Sequence, residues 1–588
     1  MTYNAPVGQI ADTLYDVAKL DELAATGAFP NFDRDLVAPI LDEANKLARD
    51  VLAPLNVVGH KVGAKLTDTG VVAAPGFAEA YGRFCDGGWM GLAFPEEFGG
   101  QGLPKPLALA VMEMMHGSNM AFSLCPLLTF GAIEAILEHG SDEQKQMYLP
   151  KMISGEWTGA MNLTEPQAGS DVGALKTRAV PNGDGSYAIS GQKIFISWGD
   201  HDMTSNIIHL VLARLPDAPA GSKGISLFVA PKVIVNADGS LGERNAFKCI
   251  GLEHKMGIHA SPTCVMEFSG AKGWLVGEPN KGLAAMFTMM NSARLNVGLE
   301  GVGVAEAALQ VATNYANDRK QGAAPGVEGS APIIKHPDVQ RTIANMAAAT
   351  QAARSICYAC GAAAELAKNA TDPTVREAAK MREDFLTPLA KAWSTDRAVD
   401  ISSAGVQVYG GMGFMAETAA AQLYLDARIL PIYEGTNGIQ AIDLVGRKLS
   451  MNNGAAPAAL MKDARATARE ARETNDPRLV SVADRLEGAL DVFSEATDWM
   501  IATMRSNRTT ALYGATAYLR LAGDVAGGFY LTRSAIDQRQ NSRGDRAIAL
   551  ARFFAEETLA SAGGHLGPIT MGSRMGDEDA ALLASASE

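Results

Sequence analysis

The 588 residues carry 51 Lys and Arg against 65 Asp and Glu, a net charge of −14 with a pI near 5.3, so no long-range attraction to nucleic acid or an anionic membrane is expected. A chain 47% hydrophobic and 20% charged is a folded globular protein rather than a disordered one, long enough for three or four domains. Six scattered cysteines argue against a disulfide framework and fit a reducing compartment; with no signal-peptide pattern and no apolar run of 18 residues read from the sequence, the expected location is cytoplasmic.

In chain order, residues 1–32 read as a short arm. Residues 33–155 are helical, with Leu36, Ile40, Leu41, Ala44, Leu47, Ala48 and Val51 at spacings of three and four, and with Ser141 ahead of Asp142-Glu143-Gln144 as a helix cap. Residues 156–276 change period: β-rich runs at 187–190, 193–197, 207–213, 225–230 and 263–268, separated by turn residues, predict a small antiparallel β domain. Helices return over 277–450, at 291–319, 339–368, 374–408 and 418–425, as a bundle. Residues 452–457 read as a linker, and 458–562 are helical again within a C-terminal part, 451–588, that holds fifteen basic and eighteen acidic residues. That balance offers no basic nucleic-acid face. The tail after Gly563 is expected to fray. The fold class is mainly α with a central β domain.

Four glycine- and hydroxyl-rich stretches carry the chemistry. In 432–440, Glu434 lies among apolar, glycine and small hydroxyl residues after Pro431, a setting that can desolvate a carboxylate and fit it to act as a base. In 161–171, Thr164 and Ser170 offer hydroxyls and Gly169 permits backbone approach. The run 193–199 is a strand ending in an aromatic and a hydroxyl, and 407–414 exposes backbone N–H groups but matches the dinucleotide fingerprint poorly. Cys357 and Cys360 form a C-x-x-C inside an alanine-rich helix without a second pair, so no metal is expected.

Through residues 163–171, 406–414 and 432–440, and through the succession of helices, β domain and bundle, the chain over about 35–450 resembles the acyl-CoA dehydrogenase family. The resemblance implies an N-terminal helical domain, a β-barrel and a C-terminal four-helix bundle, here with an extra C-terminal helical domain. It implies FAD as cofactor, an acyl-CoA substrate, an electron-transferring flavoprotein as electron acceptor and a homodimer or tetramer, with neither nucleic acid nor membrane as partner. Within the family, the length, the arm and the extra C-terminal part look like the 3-methylmercaptopropionyl-CoA dehydrogenases, which act on a thioether acyl-CoA in dimethylsulfoniopropionate breakdown. General short- to medium-chain acyl-CoA dehydrogenases and acyl-CoA oxidases are the alternatives.

Carried over by position, the resemblance implies that Glu434 removes the substrate α-proton while the β-hydrogen leaves to the flavin, giving a trans-2-enoyl-CoA. Met161, Leu163, Thr164 and Gly169 would lie at the flavin ring, with Phe195 and Ser197 on its other side. Arg319, Gln407, Gly410 and Gly411 would hold the pyrophosphate and adenosine half, and Thr436 and Asn437 the phosphates beside the base. Ser170 and Arg294 would face the acyl-CoA. Phe195 and Ser197 depart from the family's usual tryptophan and threonine, Arg319-Lys320-Gln321-Gly322 departs from its Arg-Lys-x-Phe-Gly, and an insertion follows at 323–333.

Overall fold

The computed structural model describes residues 2–570 with Leu582 and Ser585, so most of the tail lies outside the described residues. The chain divides into two compact units: Met1–Val7, Phe29–Asn296 and Ala421–Arg428 form the first, and Gly8–Ala28, Val297–Ala420 and Ile429–Glu588 the second.

The first unit joins a helical layer to a sheet. Its helical part is interrupted, against expectation, by a hairpin of β1 (Lys65–Thr67) and β2 (Gly70–Val72). Ser141 and Gln144 make the reciprocal capping box that their spacing predicts. Helix Met120–His139 corrects the reading that no apolar run reaches membrane-spanning length: its mean hydropathy is 1.8 over a window of which 83% is buried, so it serves as a core helix. Thr129 on this helix accepts from the Gly159 N–H at 3.0 Å, and a Cβ on Gly159 would meet Ala132 at 2.5 Å. Only glycine allows that close an approach.

The strands follow as β3 (Trp157–Asn162), β4 (Arg178–Pro181), β5 (Tyr187–Ser197), β6 (Asn206–Ala213) and β7 (Ser226–Pro231). A small pair, β8 (Val233–Val235) and β9 (Leu241–Arg244), precedes β10 (Phe247–Leu252) and β11 (Thr263–Val276). The seven-stranded sheet has the order β3-β6-β7-β11-β5-β4 with β10 on β11. It departs from the all-antiparallel expectation at one place, because β3 runs parallel to β6. The two runs expected at 187–190 and 193–197 are one strand, paired in phase with β11 from Ser190 to Lys193 and with register shifts on either side of that stretch. Backbone bonds between Arg214, just after β6, and Thr177 and Ala179, at 2.9 Å each, bring the β4 edge back and curl the sheet on itself.

The second unit is helical among its described residues. The long helix Gly282–Asp318 enters it from the first unit, and Pro337–Asn369 follows. The single helix expected over 374–408 is two, Pro373–Pro388 and Ser394–Tyr409, joined by a π-helical turn, Leu389–Trp393. Pro388 lacks the N–H that would continue the regular ladder. The expected linker at 452–457 is a 3-10 turn, Met451–Gly454, running straight into helix Ala455–Glu473. Helices Pro477–Ser506, Ala515–Gln538 and Gly544–Glu557 complete the C-terminal part. The arm contributes helix Val7–Asp16, buried through Ile10 and Leu14, with Thr13 accepting from Gln351 at 2.9 Å and Asp12 receiving Arg543 through two bonds of 2.6 Å.

Candidate active site

In the first unit, the 163–171 loop and the end of β5 are tied into one construction. Lys193, pointing inward from β5 and fully buried, donates to the Leu163 carbonyl at 3.0 Å and to Glu165 Oε1 at 2.8 Å. The Ile194 N–H donates to the Thr164 carbonyl at 2.9 Å. Glu165, 3% exposed, also accepts from the backbone N–H groups of Lys176 and Thr177 and from the Gln167 amide. Burial works to raise the Glu165 carboxyl, but the Lys193 ammonium and these donors overcome it and hold it at about 2. Burial likewise drives the Lys193 ammonium down to about 8, against the pull of Glu165. The pair is ionised at neutral pH, a buried bridge that fixes the loop against the strand.

The consequence is that Leu163 and Thr164 flank the strand end carrying Phe195 and Ser197. Phe195 has left-handed backbone geometry (φ 59°) and is 58% exposed, a large aromatic face offered to solvent. Trp198, also left-handed at φ 50°, is buried instead and donates from its ring to the Ala121 carbonyl at 3.1 Å. An exposed aromatic beside half-buried Met161, Leu163 and Thr164 fits a flat ring system such as the flavin of FAD. Gly169 and Ser170 are exposed on the same loop, and a Cβ on Gly169 would meet nothing within 4 Å. Arg294 is buried at 5% on the first half of the long helix, donating to Asn291 at 3.4 Å.

In the second unit, the turn at 433–436 is built around an unusual backbone. Glu434 has φ 53° and Gly435 φ 84°, consecutive left-handed residues of which only the glycine is at ease. Buried Gln440 spans the turn, its amide reaching the Glu434 and Gly435 carbonyls at 3.3 and 3.4 Å. Thr436 caps the helix Asn437–Asp443, accepting from the Ile439 N–H at 3.3 Å. Asn437 is held internally: its amide donates to the Ala392 carbonyl, Thr395 and Asp396 at 3.1, 2.9 and 2.7 Å, and its carbonyl accepts from buried Lys391 at 2.8 Å. Its side chain thus clamps the turn onto the π-helical segment, a role that the sequence did not signal. Glu434 is half-buried, and the Tyr433 hydroxyl beside it in the chain donates to fully buried Glu300.

The expected phosphate and adenosine residues are also in this unit. Tyr315 and Tyr409 stack at 4.0 Å, joining the long helix to Ser394–Tyr409 just before the glycines. Gly410 has φ 58°, and Cβ atoms on Gly410 and Gly411 would meet nothing within 4 Å, so their backbone is open to a ligand. Gln407 and Arg319 are exposed. The insertion folds back onto the Arg319 segment through Ile333 N–H to Arg319 O (2.8 Å), Gln321 N–H to Ala331 O (3.0 Å) and Ala331 N–H to Gly322 O (2.9 Å).

Lys193, Glu300, Lys391 and Gln440 were not singled out in the sequence. A buried lysine in a strand or a buried glutamate in a helix acquires meaning only through the partner that the fold brings to it. Among the described residues no group of three His, Cys, Asp or Glu could hold a metal, and Cys357 and Cys360 are buried and outside any disulfide.

Comparison with known proteins agrees with this arrangement along the chain. Residues 40–156, 160–271 and 280–450 match the acyl-CoA dehydrogenase N-terminal, middle and C-terminal domains, and residues 460–575 match the domain described as acetyl-CoA dehydrogenase C-terminal like. A 3-methylmercaptopropionyl-CoA dehydrogenase of Ruegeria pomeroyi is 44% identical over 95% of this chain and 96% of its own length. A broad-specificity linear acyl-CoA dehydrogenase of Mycobacterium tuberculosis is 32% identical over 95% of both. The crystal structure of an acyl-CoA dehydrogenase from Bacillus anthracis complexed with FAD shares the fold, with a TM-score of 0.75 at 22% identity, covering 94% of this chain and 91% of that one.

Proposed function

The chain belongs to the acyl-CoA dehydrogenase family, and from that premise we propose that it dehydrogenates 3-methylmercaptopropionyl-CoA, with Glu434 as the base. The observation that carries the substrate is the 44% identity to the Ruegeria enzyme over nearly the whole of both chains, a span too long to leave out the C-terminal helices beyond the shared three-domain core. The 32% relative with broad linear specificity, which spans as much of this chain, favours ordinary straight-chain acyl-CoAs as the second reading.

In this reading the α C–H bond breaks with its proton going to the Glu434 carboxylate, and the β-hydrogen leaves with its electron pair. Bound FAD supplies the two-electron acceptor. The chain's own contribution is positioning: Gln440, Asn437 and Lys391 hold the turn that presents Glu434, which confers much of the benefit of general-base catalysis. Thr164, Phe195 and Ser197, with Met161, Leu163 and Gly169, receive the flavin ring. Arg319, Gln407, Gly410, Gly411 and Thr436 receive its phosphates and adenosine, and Ser170 and Arg294 the acyl-CoA. An electron-transferring flavoprotein takes the electrons onward, in a cytoplasmic homodimer or tetramer; six cysteines outside any disulfide suit that reducing compartment.

The test is anaerobic mixing of the FAD-loaded protein with acyl-CoAs from butyryl to palmitoyl and with 3-methylmercaptopropionyl-CoA, following loss of flavin colour. Fastest bleaching by the thioether supports the proposal. Fastest bleaching by straight chains replaces it with the broader reading, and stoichiometric peroxide in air replaces it with an oxidase.

A further inference from the structure

Beside the turn that carries Glu434 is a second carboxyl that the reaction as described does not use. Glu300, on the long helix Gly282–Asp318, has no measurable exposure. Its Oε2 accepts the hydroxyl of Tyr433, the residue preceding the base. Its Oε1 is buried without a hydrogen-bond partner among the described residues. A carboxylate so enclosed leaves lone pairs unsatisfied, whereas a neutral carboxyl loses far less. Three titratable groups face it: Tyr433 by direct bond, Glu434 by repulsion between like charges, and Lys391 by attraction.

We propose that Glu300 is a positioning residue for the base: a buried carboxyl, neutral at pH 7, that anchors Tyr433, fixes the left-handed turn at Glu434, and strengthens the base when it ionises. The inference rests on Glu434 being that base. Burial pushes the Glu300 carboxyl up; the Tyr433 bond opposes this, the Glu434 charge adds to it and Lys391 opposes it, leaving the group at about 8. Glu300 is therefore protonated at pH 7 and ionises just above it. Once ionised it sets an anion beside the Glu434 carboxylate, which raises that carboxylate's affinity for the α-proton, so proton removal quickens at alkaline pH.

The experiment is the pH dependence of flavin reduction by substrate in the FAD-loaded wild type, Glu300→Gln and Tyr433→Phe, with infrared detection of the protonated carboxyl. The wild type is expected to gain rate roughly tenfold between pH 7 and pH 9 through an inflection near 8. Glu300→Gln still accepts the Tyr433 hydroxyl but cannot ionise, so the alkaline inflection disappears. Tyr433→Phe removes the donor that favours the carboxylate, so the inflection moves to higher pH. A purely structural pair would move neither. In the infrared, a carboxyl band present at pH 7 and lost toward pH 9 in the wild type is absent from Glu300→Gln. An inflection that survives in Glu300→Gln, or one that does not rise in Tyr433→Phe, overturns the proposal. The band reports on Glu300 without turnover, so its presence beside a fully active Glu434→Gln protein would place the failure with the base instead.

Discussion

At the scale of single residues, the site assigns different states to two glutamates of the same unit. Glu434 is half-buried in a turn held by its neighbours, and Glu300 is wholly buried and accepts a tyrosine hydroxyl. Of the two, Glu300 is the one held wholly out of water, through its place on a different helix. Glu434→Gln is nearly isosteric and leaves the Gln440 bonds to the turn carbonyls intact, but an amide cannot take the α-proton. Single-turnover flavin reduction should fall by at least about 10³-fold with FAD content unchanged; near-normal reduction would remove Glu434 from the mechanism.

At the scale of elements, the 163–171 loop is tied to strand β5 by a buried ion pair beside two bonds to loop carbonyls. Replacing one partner of such a pair strands the other charge, at about 3 kcal/mol or more. Lys193→Met is therefore expected to lower stability to urea by about that amount and to weaken FAD retention, because Leu163 loses its tether and Glu165 keeps only its amide donors. Urea unfolding and bound FAD per chain measure both, and a variant that matches the wild type in each would show that the loop is held without the pair. The pattern of the sequence reveals this element only in part. The β-rich runs 187–190 and 193–197 mark two strands where the fold has one, and in the one-dimensional pattern Lys193 is simply a polar residue. Glycines 410 and 411 were legible as an open turn, because nothing but backbone freedom is needed there, whereas Asn437 was not legible as a clamp, because its four partners come from an element some forty residues earlier.

At the scale of the whole molecule, residues 8–28 of the arm are part of the second unit rather than an appendage. Asp16 accepts from Gln538 at 2.7 Å and Ser534 at 3.2 Å on the helix Ala515–Gln538. Burial pushes its carboxyl up to about 6; the Gln538 and Ser534 bonds oppose the shift, and the charges of Asp537 and Asp12 add to it. The folded value lies above the ordinary 3.8, so the folded state binds the proton more tightly and stability from this group falls as pH rises from about 4 to 6. Asp16→Asn removes that cost and should stabilise the protein at pH 7 by about 1 kcal/mol, allowing for solvent screening. At pH 4 the gain should vanish. Thermal unfolding at the two pH values tests this, and an equal effect at both would mean that charge is not the cause.

The order of helices, sheet and helices, the helix cap at Ser141 and the three family stretches could all be read from sequence, because each is set by local periodicity, turn chemistry or a contiguous motif. Four things were decided only in three dimensions: the parallel pairing of β3 with β6, the burial of Met120–His139, the docking of the arm on the C-terminal helices and the pairing of Glu300 with Tyr433. Each depends on which distant surface meets which. That choice follows from how much apolar area the contact removes from water and whether every buried polar group finds a partner, and neither quantity exists until the chain has folded.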